Sequence, residues 1–195
     1  MDAARQLRPP LRAARHETLI GLLAVTGCRP GELLALDRAD VDLGHGVLHV
    51  RAGKQNKQRQ VPLHPSTVNA LRAYARQRDA RFPTPSTPAF FLSARGHRMG
   101  RGELNATFFT LVGKVGLEGR GARARPRPYD LRHAFAVHTL VDWYRAGEDV
   151  DRRMPLLSTY LGHVDPASTY WYLEAVAELL ELVGRRLGQL PGVLS

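Results

Sequence analysis

The chain is poor in cysteine. Cys28 is the only one in 195 residues, so no disulfide can form within it. That excludes a disulfide-stapled scaffold and points to a reducing compartment, the cytoplasm. Long apolar runs are absent too: nothing approaches the ~18 consecutive apolar residues of a membrane helix. Arg5 and Arg8 have no apolar segment behind them, so the N-terminus is not read as a signal peptide. There is no phosphate-binding loop, because Gly53-Lys54 lacks the required glycine spacing. Nor is there a metal-ligand array. His45 and His49 straddle a turn and a strand, and His133 and His138 fall on different faces of one expected helix. No internal repeat or heptad array is visible. Acidic residues are scarce, with 18 Asp and Glu against 28 Lys and Arg, a net charge of +10. Such a balance suits a polyanionic partner, most simply nucleic acid, although a general arginine bias would also raise the charge.

What is present is a globular pattern of short elements. Residues 1–11 read as a loose polar leader and residues 12–189 as a single domain. Leu19, Leu22, Leu23 and Val25 predict a helix from about Arg12 to Val25, stopped at Thr26-Gly27. Pro30 opens a short second helix to Leu36, which puts Arg29 at a helix-to-helix junction. Val47–Arg51 and Gln60–Leu63 read as a hairpin, with the basic loop Ala52–Arg59 between them and Pro62 marking an edge strand. Further helices are expected over Pro65–Arg78, Arg101–Val115, Leu131–Ala146 and Met154–Leu161. A short one follows Asp165-Pro166, and a closing amphipathic one covers about 176–187. Phe90-Phe91 is a candidate extra edge strand. The basic run Gly116–Pro128 reads as a loop. The fold class is therefore mainly α with a small antiparallel sheet, α+β.

Several residues in this frame share one chemistry. Arg29 and Arg132 carry planar forks of donors that match phosphate oxygens. Lys54 can protonate a departing oxygen if desolvation lowers its pKa. His163, nine residues before Tyr172, can bond a phosphate oxygen or the nucleophile, or simply cap a helix C-terminus. Tyr172 can attack phosphorus once cations favour its phenolate. Alternatively, Tyr170, Trp171 and Tyr172 are core aromatics. Each residue alone has an ordinary structural explanation, a surface salt bridge or a solvated lysine; together they allow DNA transesterification without a metal or cofactor.

The motifs resemble the catalytic domain of tyrosine recombinases, the phage integrase family. Thr26-Gly27-Cys28-Arg29-Pro30-Gly31-Glu32-Leu33 is similar to the first arginine box. Gly53-Lys54-Gln55-Asn56-Lys57 through Leu63 is similar to the hairpin with the catalytic lysine. Leu131-Arg132-His133-Ala134-Phe135-Ala136 is similar to the second arginine box, and Leu161-Gly162-His163 with Tyr172 fits the histidine-to-nucleophile spacing. The likeness covers roughly Arg15 to Glu178. It implies strand cleavage and rejoining through a 3′-phosphotyrosyl link in a mobile element, on double-stranded DNA, by a homo-oligomer that forms a tetrameric synapse. It also implies the catalytic set Arg29, Lys54, Tyr129, Arg132, His163 and Tyr172, with Glu32 as a buttress to His163. Arg51, Lys57, Arg59, Arg123, Arg125 and Arg127 are the candidate DNA contacts. The closing helix at 176–187 docks either on a neighbouring protomer or on its own domain.

Two departures stand out. Tyr129 occupies the place of the family's histidine three residues before the second arginine, which implies an active but slowed enzyme. The N-terminal domain that clamps the other face of DNA is not represented. Two other readings stay open: a non-catalytic DNA-binding module and a type IB topoisomerase.

Overall fold

The computed structural model describes residues 1–7, 9–51, 58–117, 125–162 and 171–173. The chain forms two compact units, Met1–Arg132 and a second from His133 on, where the sequence suggests one.

In the first unit the leader is not loose. Asp2–Arg5 form a helix, α1, and Ala4 and Leu7 are buried with Ala13 and Leu111. Apolar side chains in an otherwise polar stretch give it a face to dock. Helix α2 runs Pro10–Thr26, with Leu19, Leu22 and Leu23 buried, whereas Val25, expected on the same face, is exposed. Gly27 ends it in the left-handed region at φ 60° and donates its N–H to the Leu23 carbonyl. This is the conformation glycine adopts without the Cβ clash that other residues meet. Helix α3, Pro30–Ala35, follows after three residues.

A 3₁₀ turn at Arg38–Asp40 leads into a three-stranded antiparallel sheet in the order β1 (Val41–Asp42), β2 (Val47–Arg51), β3 (Gln58–Pro62). The hairpin is as expected, with Pro62 on an edge strand; β1 is an addition, too short to leave a pattern in sequence. Val50 pairs Arg59 and Leu48 pairs Val61. Helix α4, Pro65–Arg81, packs along α2, and helix α5 covers Arg101–Lys114.

Phe90-Phe91 does not join the sheet. Only isolated bridges, Asp37–Ala89 and Leu92–Arg98, flank it. Backbone and side-chain groups share the bonds of this stretch: the Phe90 N–H donates to the Leu36 carbonyl at 2.8 Å, and the Phe91 carbonyl accepts from the Met99 N–H at 2.9 Å. Arg78 Nη1 donates to the Phe90 carbonyl at 3.0 Å, Arg15 Nη1 to the Leu92 carbonyl at 2.6 Å, and the Leu92 N–H donates to Tyr74 Oη at 3.2 Å. Buried peptide groups need partners, and the side chains supply those that the isolated backbone bonds leave open. Both arginines are buried, Arg15 also bonding Glu103 and Arg78 also bonding Asp79.

Helix α6, Asp130–Arg145, begins at the end of the first unit and continues into the second. There α6 and α7, Val150–Leu161, bury Ala136, Leu140, Val141, Val150, Met154, Leu157 and Leu161 in one cluster with Tyr172. Gly162 closes α7 at φ 69°, the stop expected from sequence. Among the described residues no helix is long and apolar enough to cross a membrane. The expected helices after Asp165 and over 176–187 lie outside the described residues, apart from helical 171–173.

His16 on α2 is fully buried beside Arg12 and Arg15, with Nδ1 2.8 Å from the Arg12 carbonyl. Burial pushes its pKa from 6.5 down to about 4. Between those values the unfolded chain binds a proton that the folded chain refuses, so stability rises with pH there and is lost as pH falls through the window. We expect urea unfolding to lose on the order of 3 kcal/mol from this group across the window. His16→Leu should flatten the slope; equal slopes in the two proteins would refute the assignment.

Candidate active site

Arg29 is the last of the three residues, Gly27 to Arg29, between α2 and α3. Its backbone is extended, and Pro30 fixes the first turn of α3 behind it. Glu32, one turn on, folds back to it. The carboxylate accepts from the Arg29 N–H at 2.8 Å and from Arg29 Nη1 at 2.9 Å. Its other partner is Arg59 on β3, which donates through Nη1 at 2.9 Å and Nη2 at 2.8 Å. This two-pronged pairing is the geometry guanidinium and carboxylate favour. Burial pushes the Glu32 pKa up, but the bonds and charges of Arg59 and Arg29 outweigh it and hold the carboxyl below its ordinary value. Arg29, with about a third of its side chain exposed, is thus tied at its backbone and at one guanidinium nitrogen.

Arg132 comes to the same junction from the far end of the unit. Its side chain is fully buried, and Nη1 donates to the Gly27 carbonyl at 2.8 Å across 105 positions of sequence. The Gly27 carbonyl is available because the left-handed turn there ends the helix. Between Gly27 and Arg29, Cys28 is completely buried, a small filler as expected; burial raises its pKa. Its sulfur lies 3.7 Å from Arg59 Nη2. Tyr129 is over a third exposed, and its carbonyl accepts from the Arg132 N–H at 3.0 Å. Asp130, the first residue of α6, accepts from the Arg127 N–H just before the helix at 2.8 Å.

In the second unit, Tyr172 is only 2% exposed and belongs to the core cluster, while Trp171 is 56% exposed. The core-aromatic reading of Tyr172 therefore holds for its ring. Its hydroxyl, however, lies 3.0 Å from Nδ1 of His133. His133 had no assigned role in the sequence. The available signal was its place inside the second arginine box, directly after Arg132.

The candidate DNA contacts divide. Arg59 is mostly buried and paired with Glu32. Strand alternation carried that signal, since residue 59 shares a face with fully buried Val61. Arg51 is exposed yet paired with Asp40. Arg127 is exposed near Asp130, and Arg125 stands exposed over the Phe109 ring at 5.5 Å. Glu32 buttresses Arg29; its expected partner His163, together with Lys54, Lys57 and Arg123, lies outside the described residues.

Comparison with known proteins gives the family and the fold. Residues 1–178 match the family model described as Phage integrase family. A Sinorhizobium fredii protein named as integrase/recombinase y4rE is 44% identical over 188 residues, covering 95% of this chain and 60% of its own length. The tyrosine recombinase XerC of Pelotomaculum thermopropionicum is 33% identical over 177 residues, covering 88% of this chain and 53% of its own length. The chain thus spans somewhat over half the length of these relatives. The crystal structure of XerH site-specific recombinase bound to palindromic difH substrate, at 21% identity, superposes with a TM-score of 0.73 over 94% of this chain and 49% of that one; it shares the fold.

Glu32→Ala would strip the mostly buried Arg59 of its carboxylate and leave that charge uncompensated, so we expect a stability loss of roughly 3 kcal/mol in urea unfolding. Glu32→Gln, which keeps the shape, should lose less. A loss within the ~0.5 kcal/mol of an ordinary surface change for Glu32→Ala would mean the clamp is not structural.

Proposed function

The chain belongs to the phage integrase family, the tyrosine recombinases, and on that premise we propose that it cleaves and rejoins DNA strands at specific sites through a covalent 3′-phosphotyrosyl intermediate. The observation that carries the reading is the bond from Arg132 to the Gly27 carbonyl, which anchors the second arginine box to the first across most of the unit. Two guanidinium residues held to one short stretch of backbone suit a phosphate that gains negative charge during displacement.

Each role follows from the chemistry of its group. Tyr172 Oη attacks phosphorus; the P–O5′ bond breaks, and its electron pair leaves with the 5′ oxygen. Lys54 supplies a proton to that oxygen. Arg29 and Arg132 hold the non-bridging oxygens, with Glu32 fixing the angle of Arg29. His163 and the Tyr129 hydroxyl donate to the phosphate. A 5′ hydroxyl from a second strand then attacks the phosphotyrosine and reverses the step. The phosphodiester energy is retained in the covalent link, so the scheme calls for no cofactor. Double-stranded DNA is the partner, a mobile-element end the natural site, and a homo-oligomer, four copies in the synapse, the working form. The net charge of +10 makes phosphate contacts, and hence salt dependence, a large part of the affinity.

The test is covalent capture on nicked, labelled DNA from the flanks of the protein's own gene. A denaturation-resistant protein–DNA band should form with the wild type and vanish in Tyr172→Phe. Salt-sensitive binding with no band from the wild type would make the chain a binding module instead. In the same assay Tyr129→His should form the band faster, because imidazole exchanges protons near neutral pH and a phenol does not. An unchanged rate would show that this position moves no proton.

A further inference from the structure

Building on Tyr172 as the nucleophile, we infer that His133 is the base that takes its proton. A phenol with a pKa of ~10 is almost wholly protonated at neutral pH, so attack on phosphorus needs an acceptor on Oη. His133 Nδ1 lies 3.0 Å from that oxygen, within the reach a general base requires. A neutral imidazole presents one ring nitrogen with a free lone pair, which can accept that proton.

The contact is built into the second unit. Tyr172 is packed in the core cluster with Ala136 and Leu140, which lie one and two turns along α6 from His133. The Tyr172 ring sits 5.6 Å from the imidazole, and Trp171 flanks the same imidazole edge-on at 5.7 Å. The histidine also follows Arg132 directly on α6. Consecutive residues of one helix therefore carry a phosphate-holding guanidinium and the acceptor for the nucleophile.

The proton balance is simple. His133 carries its own proton on Nε2 and accepts the Tyr172 proton at Nδ1. As that proton moves, the Oη–P bond forms and the P–O5′ bond breaks, and the 5′ oxygen takes its proton elsewhere. In the rejoining step the imidazolium returns the proton to the departing phenolate. The base is thus separate from Tyr129, whose hydroxyl donates to the phosphate.

The experiment is single-turnover adduct formation on nicked DNA with wild type, Tyr172→Phe, His133→Ala and His133→Asn. Asparagine places an acceptor oxygen near the position of Nδ1 but takes up no proton near neutral pH. Both His133 variants should bind DNA as the wild type does and form the adduct about 10²-fold more slowly. Added imidazole should restore part of the His133→Ala rate. On a substrate with sulfur in the 5′-bridging position, whose thiolate leaves unprotonated, the His133→Ala defect should persist. His133→Asn at the wild-type rate would overturn the proposal, because the bond would only orient the ring. His133→Ala at or above the wild-type rate would overturn it, because the bond would be a resting contact. A defect erased by the sulfur substrate would move His133 to the leaving-group side and overturn it as well. Absence of any wild-type adduct would instead remove Tyr172 as nucleophile, a failure seen without any His133 variant.

Discussion

The first unit depends on one buried carboxylate. Glu32 accepts from the Arg29 backbone, the Arg29 guanidinium and both prongs of Arg59. A single side chain thereby ties the helix junction, α3 and β3 together. A carboxylate out of water is costly unless its lone pairs are filled, and here at least four donors fill them. The cost of burial becomes geometric precision, because each bond constrains where Arg29 can sit. The Arg132–Gly27 bond adds a second tie to the same junction. A helix stop at Gly27, a proline start at Pro30 and two polar anchors together leave the backbone around Arg29 little freedom.

The second unit rests on apolar packing and delivers a different kind of precision. Tyr172 is held by its ring, which the cluster around Leu140, Met154 and Leu161 covers. Its hydroxyl is held by His133. A side chain whose ring is packed and whose oxygen is bonded has little rotamer freedom left to lose. Arg29, Arg132 and Tyr172 are therefore fixed by separate means: an ion pair to Glu32 and a bond to the Gly27 carbonyl in one unit, a hydrophobic cluster in the other.

Much of this was legible in sequence wherever a local rule operates. Gly27 and Gly162 as helix stops, Pro30 as a helix start, Pro62 on an edge strand and Cys28 as a small buried filler each follow from the chemistry of one residue. The arginine boxes were legible as motifs. The misses share a cause. Phe90-Phe91 has the composition of a strand, but its backbone bonds to Leu36, Met99 and the Arg78 side chain and not to the sheet. The leader is polar overall, yet Ala4 and Leu7 find a surface near Leu111 to cover. Arg59 reads as a loop-edge DNA contact until Glu32, 27 positions earlier, claims its guanidinium.

By itself, then, the sequence determined the helix stops at Gly27 and Gly162, the helix start at Pro30 and the family motifs that hold Arg29 and Arg132. Those properties reside in single side chains and in spacings of a few residues. Only the tertiary structure decided which cations are committed to carboxylates, which carbonyl receives Arg132, and that His133 meets the Tyr172 hydroxyl across 39 positions. Such partnerships form between groups far apart along the chain. Their geometry is set by the packing of whole elements, which no local pattern of residues encodes.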